Sequence, residues 1–126
     1  MAERRTLREG GALKKGVPER GDVLLLNLEP TRGHEQQGRR PVLVLSVAEF
    51  NRIGLILACP ITRGGQFARA GGFAVSLSGA GSETQGVVWC HQARTIDYKI
   101  RAGRWVETLP IDLVEEVLGR VRTLLD

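Results

Sequence analysis

Short apolar runs punctuated by glycine and proline constrain this chain more than any other feature. The first, "GDVLLLNLEP", reads as a strand from about Asp22 to Leu28 stopped by Pro30, and "RPVLVLSV", "GLILACPI", "GFAVSL" and "GVVWCHQ" follow. Each is apolar or alternating, too short for a typical helix, and bounded by Gly or Pro, which is the pattern of β-strands joined by tight connections. "RWVETL" is a weaker sixth candidate. The period then changes: Leu113, Val114, Val117, Leu118, Val121, Leu124 and Leu125 recur at spacings of three and four, the signature of an amphipathic helix. Pro110 suits its first turn, Asp112, Glu115 and Glu116 its positive end, and Arg120 and Arg122 its negative end. The expected fold is mainly β, a small barrel followed by a C-terminal α-helix. The apolar stripe of that helix needs a cover, supplied either by the chain's own sheet or by a partner subunit.

With 126 residues the chain is one domain that can bury a core without a metal or disulfide staple. It has no apolar run approaching the ~20 residues needed to span a bilayer, and no apolar signal-peptide stretch at its N-terminus, so a cytoplasmic protein is expected. Cys59 and Cys90 lie inside strand-like runs without the paired spacing of a zinc site, and read as buried free thiols.

The net charge of +4 is uneven. Residues 1–20 carry six Lys/Arg against three Glu with little apolar periodicity, so residues 1–18 are expected to form a flexible basic arm ahead of a single domain at 19–126. Residues 36–104 hold nine basic side chains and only Glu49, Glu83 and Asp97 as acids. That excess suits a polyanion such as nucleic acid, although a solvated mixed surface would show the same count.

The polar residues fall at strand ends, where a small barrel can bring them together. His34, Glu35 and Gln36 occupy the loop "GHEQQG"; Arg40 opens the second run and Ser46 stands near its end; Thr62 and Arg63 close the third; His91, Gln92 and Arg94 close the fifth. The sequence contains no nucleophile elbow, phosphate-binding glycine loop, HxxxH pair or metal-spaced carboxylate pair, so neither a metal nor another cofactor is expected. A donor-rich, cation-rich set with two histidines fits cleavage of RNA by its own 2′-hydroxyl. That reaction needs a proton acceptor, a proton donor and cations to stabilise the phosphorane, and no external nucleophile. Each residue also has a plain structural reading: Arg40 as a surface ion-pair partner, Thr62 as a strand end, His34 as a solvated loop residue, His91 as a core histidine.

The motifs "RGDVLLLNLEPTRGHEQQGRRPVLVLS", "FNRIGLILACPIT", "GGQFARAGGFAVSLSGAG", "GVVWCHQARTIDYKIRAG" and "EEVLGRVRTLL" together resemble the MazF/PemK family of toxin endoribonucleases, and within it the Kid/PemK and ChpB branch. The resemblance spans residues 20–126. It implies an SH3-like barrel of the MazF/CcdB type with a C-terminal helix. It also implies a homodimer, metal-independent sequence-selective cleavage of single-stranded mRNA to 2′,3′-cyclic phosphate and 5′-hydroxyl ends, and a cognate antitoxin with an acidic tail. In the wider family the arginine of the R-P motif and a threonine ending the next strand form the catalytic pair, and Arg40 and Thr62 match both. The Kid/PemK branch instead uses a loop histidine, which His34 matches, with an arginine and an aspartate in R-C-D-Q. Here the segment is "WCHQ", so Trp89 stands for the arginine and His91 for the aspartate, as a candidate proton acceptor. By the same resemblance Glu35, Gln36, Ser46, Arg63, Phe67, Arg69, Trp89, Gln92 and Arg94 are expected to contact RNA. A binding module of the same fold that does not cut, and a CcdB-like gyrase poison, are the alternatives.

Overall fold

The computed structural model describes residues 16–27, 39–63 and 71–126. Seven strands, β1 (Asp22–Asn27), β2 (Arg39–Val44), β3 (Leu55–Thr62), β4 (Ala74–Ser76), β5 (Val87–Trp89), β6 (Arg94–Asp97) and β7 (Arg104–Thr108), are joined by a short helix α1 (Ala48–Asn51) and closed by α2 (Ile111–Thr123). The order across the sheet is β4-β5-β3-β2-β1-β7, with β6 also on β3, and every pairing is antiparallel. Because β4 and β7 do not pair with each other, the sheet is open rather than a closed barrel. On the side that closure would cover, α2 packs instead.

Alternation sorts the central strands into two buried layers. Val23, Leu43, Leu45, Cys59 and Ile61 face one side, where Val75, Leu77, Val88 and the α2 residues Val114, Val117 and Leu118 complete a core. Leu24, Leu26, Val42, Val44, Ile56 and Ala58 face the other, beneath Ile96, Tyr98 and Trp105. The helix stripe is thus covered by the chain's own sheet, while Leu124 and Leu125 at its end remain exposed.

Two buried polar residues lock the far end of β2. Asn51 donates to the carbonyls of Pro18 at 2.9 Å and Ser46 at 3.1 Å, and accepts from the Ser46 hydroxyl at 2.5 Å. Tyr98 in turn donates to the Asn51 carbonyl at 2.8 Å. Asp22 accepts from the Glu19 N–H at 2.8 Å and the Thr108 hydroxyl at 2.9 Å, tying β1 to β7. Pro18 is buried in this network, so the chain is already anchored at the end of the expected arm; residues 1–15 lie outside the described ones. Among the described residues no helix is long and apolar enough to cross a membrane.

Sequence expectation and structure part at the fifth run. "GVVWCHQ" is a strand only over Val87–Trp89; Cys90–Gln92 form a 3-10 turn, and Arg94–Asp97 then make the unexpected β6. Cys90 keeps the core side that Val88 faces, so the turn begins without moving its side chain out of the core.

Cys59 and Cys90 are free and fully buried, with the Cys59 thiol 3.9 Å from the Cys90 carbonyl. Burial, reinforced by Cys90, pushes the Cys59 thiol from the ordinary 9.0 up to about 12. Burial pushes Cys90 to about 11 against the lowering effect of Arg120. Both thiols therefore favour the neutral form in the folded state more than in the unfolded one. Their contribution to stability is complete below pH ~9 and is lost as pH rises toward the folded values. Native protein at pH 8 should resist a thiol reagent that labels the urea-unfolded chain, and its melting temperature should fall between pH 9 and 11. Labelling of the native protein at the unfolded rate would contradict this.

Candidate active site

The site forms where β2 begins and β3 ends. β2 and β3 pair through Val42 with Pro60 and Leu43 with Cys59, and continuing that register by two residues sets Arg40 opposite Thr62. Arg40 is also the partner of Leu26 on β1, and Thr62 of Val87 on β5. Residues 22 positions apart in sequence thus become neighbours in one cross-strand row.

Both line a cleft of about 770 Å³ together with Leu25, Pro41, Ile61, Arg63, Glu83, Thr84, Gln85 and Val106. Leu25, Pro41 and Ile61 belong to the helix side of the sheet, whereas Arg40 and Thr62 alternate to the opposite side. The cleft therefore opens at the strand ends, with Arg40 and Thr62 at its rim. Its floor is apolar and its rim charged, with Arg40, Arg63 and Glu83 all exposed. The Thr62 hydroxyl is buried and has no hydrogen-bond partner among the described residues. An unmet buried hydroxyl costs about 1–3 kcal/mol, so Thr62 carries an unused donor in the cleft that Arg40 and Arg63 also line.

The opposite wall was not anticipated from the sequence. Glu107 on β7 accepts the backbone N–H of Glu83 at 3.1 Å and of Thr84 at 2.7 Å, and the Thr84 hydroxyl as well. This carboxylate fixes residues 83–85 against the cleft. The polar, glycine-bounded "GSETQG" was the available signal, being of the same kind as "GHEQQG".

The other candidates divide into three groups. Trp89 and His91 stack with ring centroids 5.0 Å apart and planes 30° from parallel. His91 is exposed rather than a core histidine, and Gln92 and Arg94, also exposed, continue the chain beside it. Ser46 stands at the opposite end of β2, its hydroxyl donating to Asn51 and accepting the Leu57 N–H at 2.9 Å, and the fold does not bring it to the cleft. His34, Glu35, Gln36, Phe67 and Arg69 lie outside the described residues.

A family model described as PemK-like, MazF-like toxin of type II toxin-antitoxin system matches residues 19–125. Endoribonuclease PemK of Escherichia coli is 53% identical over 113 residues, covering 89% of this chain and 85% of its own. Endoribonuclease toxin ChpB of E. coli K12 is 43% identical over 115 residues, covering 90% and 99%. Among solved structures, a MazE–MazF crystal structure from Deinococcus radiodurans superposes with a TM-score of 0.73 at 37% identity, over 86% of this chain and 96% of that one. The Arg40–Thr62 cleft is thus set in a chain that belongs to the PemK-like, MazF-like toxin family of type II toxin–antitoxin systems.

Proposed function

We propose that this protein is the toxin of a type II toxin–antitoxin pair and an endoribonuclease that cleaves single-stranded mRNA in the cytoplasm at selected sequences. The observation that carries the reading is the unpartnered Thr62 hydroxyl placed opposite Arg40 at the rim of the cleft. In the reaction the 2′-oxygen attacks the adjacent phosphorus, its proton passes to a base, and the 5′-oxygen leaves and is protonated. The products carry a 2′,3′-cyclic phosphate and a 5′-hydroxyl. Arg40 and Thr62 bind the non-bridging oxygens, on which charge accumulates in the phosphorane, and preorganised donors at such a position lower the barrier most. His34 is the proposed proton acceptor, an imidazole being able to take a proton near neutral pH. The 2′-hydroxyl is an internal nucleophile, so this route asks for no metal.

The same reading includes two partners. An antitoxin with an acidic tail would complement the Arg40 and Arg63 rim, and structural relatives include MazE–MazF complexes. A second copy of the chain, as a symmetric dimer, would lengthen a groove that one small domain leaves short.

Incubation with a long single-stranded RNA in excess EDTA, followed by mapping of the ends, tests the activity. Cuts at a short recurring sequence with cyclic-phosphate and 5′-hydroxyl ends are expected. RNA that is bound but left intact would instead favour the non-cutting binding module, which the Trp89 and His91 replacements make the next reading.

A further inference from the structure

We propose that Trp89 and His91 form a stacking platform for one unpaired nucleobase beside the scissile phosphate, so that His91 binds and orients substrate rather than moving a proton. The proposal rests on the ribonuclease reading above and assigns part of that substrate's grip.

The local backbone builds the platform. In a straight strand, side chains two residues apart stand roughly 7 Å from each other along one face. Here the strand ends at Trp89 and the 3-10 turn Cys90–Gln92 begins at once, which brings the two rings to a centroid distance of 5.0 Å, near parallel. Cys90 between them is fully buried in the core and anchors the turn from below. Trp89 is half-buried and packs with Ala74 and Val87, while His91 is exposed. The imidazole therefore has one face on the indole and the other open.

The chemistry of the pair favours stacking over proton transfer. A histidine acting as general base is normally oriented by a third group that accepts its other N–H. Among the described residues no hydrogen bond or ion pair holds His91, and its structural partner is the Trp89 ring. Unpaired bases in RNA are typically splayed onto aromatic or histidine rings in this way.

Position supports the assignment. Val87 is the cross-strand partner of Thr62, so Trp89, two residues further along β5, is the diagonal neighbour of Thr62, a separation of about 7–8 Å. Arg94, exposed and paired opposite Ala58, follows on the same side of β3 and supplies a cation for the flanking phosphate. A base on the platform would thus sit next to, and not at, the reacting phosphorus.

The test measures binding and cutting separately. Fluorescence anisotropy reads binding of single-stranded oligonucleotides that carry a 2′-deoxy nucleotide at the mapped cleavage site, alone or with one abasic nucleotide at each flanking position. His91→Ala and Trp89→Ala should each weaken binding by about tenfold, the usual scale for one lost base–aromatic stack. His91→Phe should recover most of that loss and also cut RNA, because phenylalanine stacks but carries no titratable proton. One abasic position should weaken the wild type about equally and leave His91→Ala unaffected, as expected when both changes delete the same contact. If His91→Phe is as inactive as His91→Ala while both bind with wild-type affinity, His91 is a proton carrier and the platform is overturned. Wild-type cleavage that His91→Ala and Trp89→Ala leave unchanged overturns the platform alone. A wild-type protein that leaves every RNA intact overturns the ribonuclease reading, and the platform with it.

Discussion

Arg40→Ala should reduce RNA cleavage by about 10²–10³-fold while leaving thermal unfolding unchanged. The magnitude is that of removing one preorganised donor from a developing oxyanion. The unchanged stability follows from exposure, since the Arg40 side chain lies at the cleft rim and makes none of the core contacts. Arg40→Lys should recover only part of the rate, because an ammonium keeps the charge but not the planar fork that meets two phosphate oxygens. Thr62→Val extends the test with opposite signs. Valine matches threonine in shape and removes a buried hydroxyl that has no partner among the described residues. Stability should therefore rise by up to about 1 kcal/mol while cleavage falls by about tenfold or more. Single-turnover cleavage alongside thermal melts checks both. A folded Arg40→Ala protein that cuts at the wild-type rate would remove Arg40 from the mechanism. A Thr62→Val protein less stable than wild type would show that the hydroxyl serves the fold.

That trade-off at Thr62 also shows what could be read from the sequence and what could not. The strands were legible because their apolar residues stand in short runs between glycine and proline, and α2 because its stripe has the helical period. Arg40 and Thr62 could be singled out by residue type and by position at strand ends. That they face each other could not, since it depends on a β2–β3 register set by the whole antiparallel pairing. The expectation for "GVVWCHQ" failed for a related reason. Alternation continues through Trp89, Cys90 and His91, so nothing in the residue types marks Trp89 as the last of the strand and Cys90–Gln92 as a 3-10 turn. Long-range polar contacts were equally hidden: nothing in "RWVETL" signals that Glu107 captures the backbone of a loop 23 residues earlier, nor does the sequence signal that Ser46 joins the Asn51 network away from the cleft.

Gly86 is where the fold and the proposed chemistry meet most tightly, and Gly86→Ala should damage both. Its φ is +126°, in a region that residues with a Cβ rarely enter, and an added Cβ would lie 2.3 Å from the Thr62 carbonyl oxygen and 3.0 Å from the Thr62 carbonyl carbon. The obstruction is backbone, so no side-chain rotation relieves it. Either β5 must separate from β3, losing the pairing of Val87 with Thr62, or the end of β3 must shift. Gly86 also accepts the Leu77 N–H at 2.9 Å, so movement there disturbs the next connection as well. Backbone strain of about 1–3 kcal/mol plus the overlap gives an expected loss of roughly 3 kcal/mol or more, a large share of the ~5–15 kcal/mol that holds a domain of this size. In a thermal melt that corresponds to a drop on the order of 10 °C. Cleavage should fall about 10²-fold even at a temperature where the variant stays folded, because misplacing a catalytic group by ~1 Å costs that much. Gly79 and Gly81 separate strain from overlap, since both have positive φ, +80° and +76°, but open space where a Cβ would stand. Alanine at either should cost only about 1 kcal/mol and leave the rate unchanged. If Gly86→Ala melts and cuts like these two, the contact between Gly86 and Thr62 does not position the site.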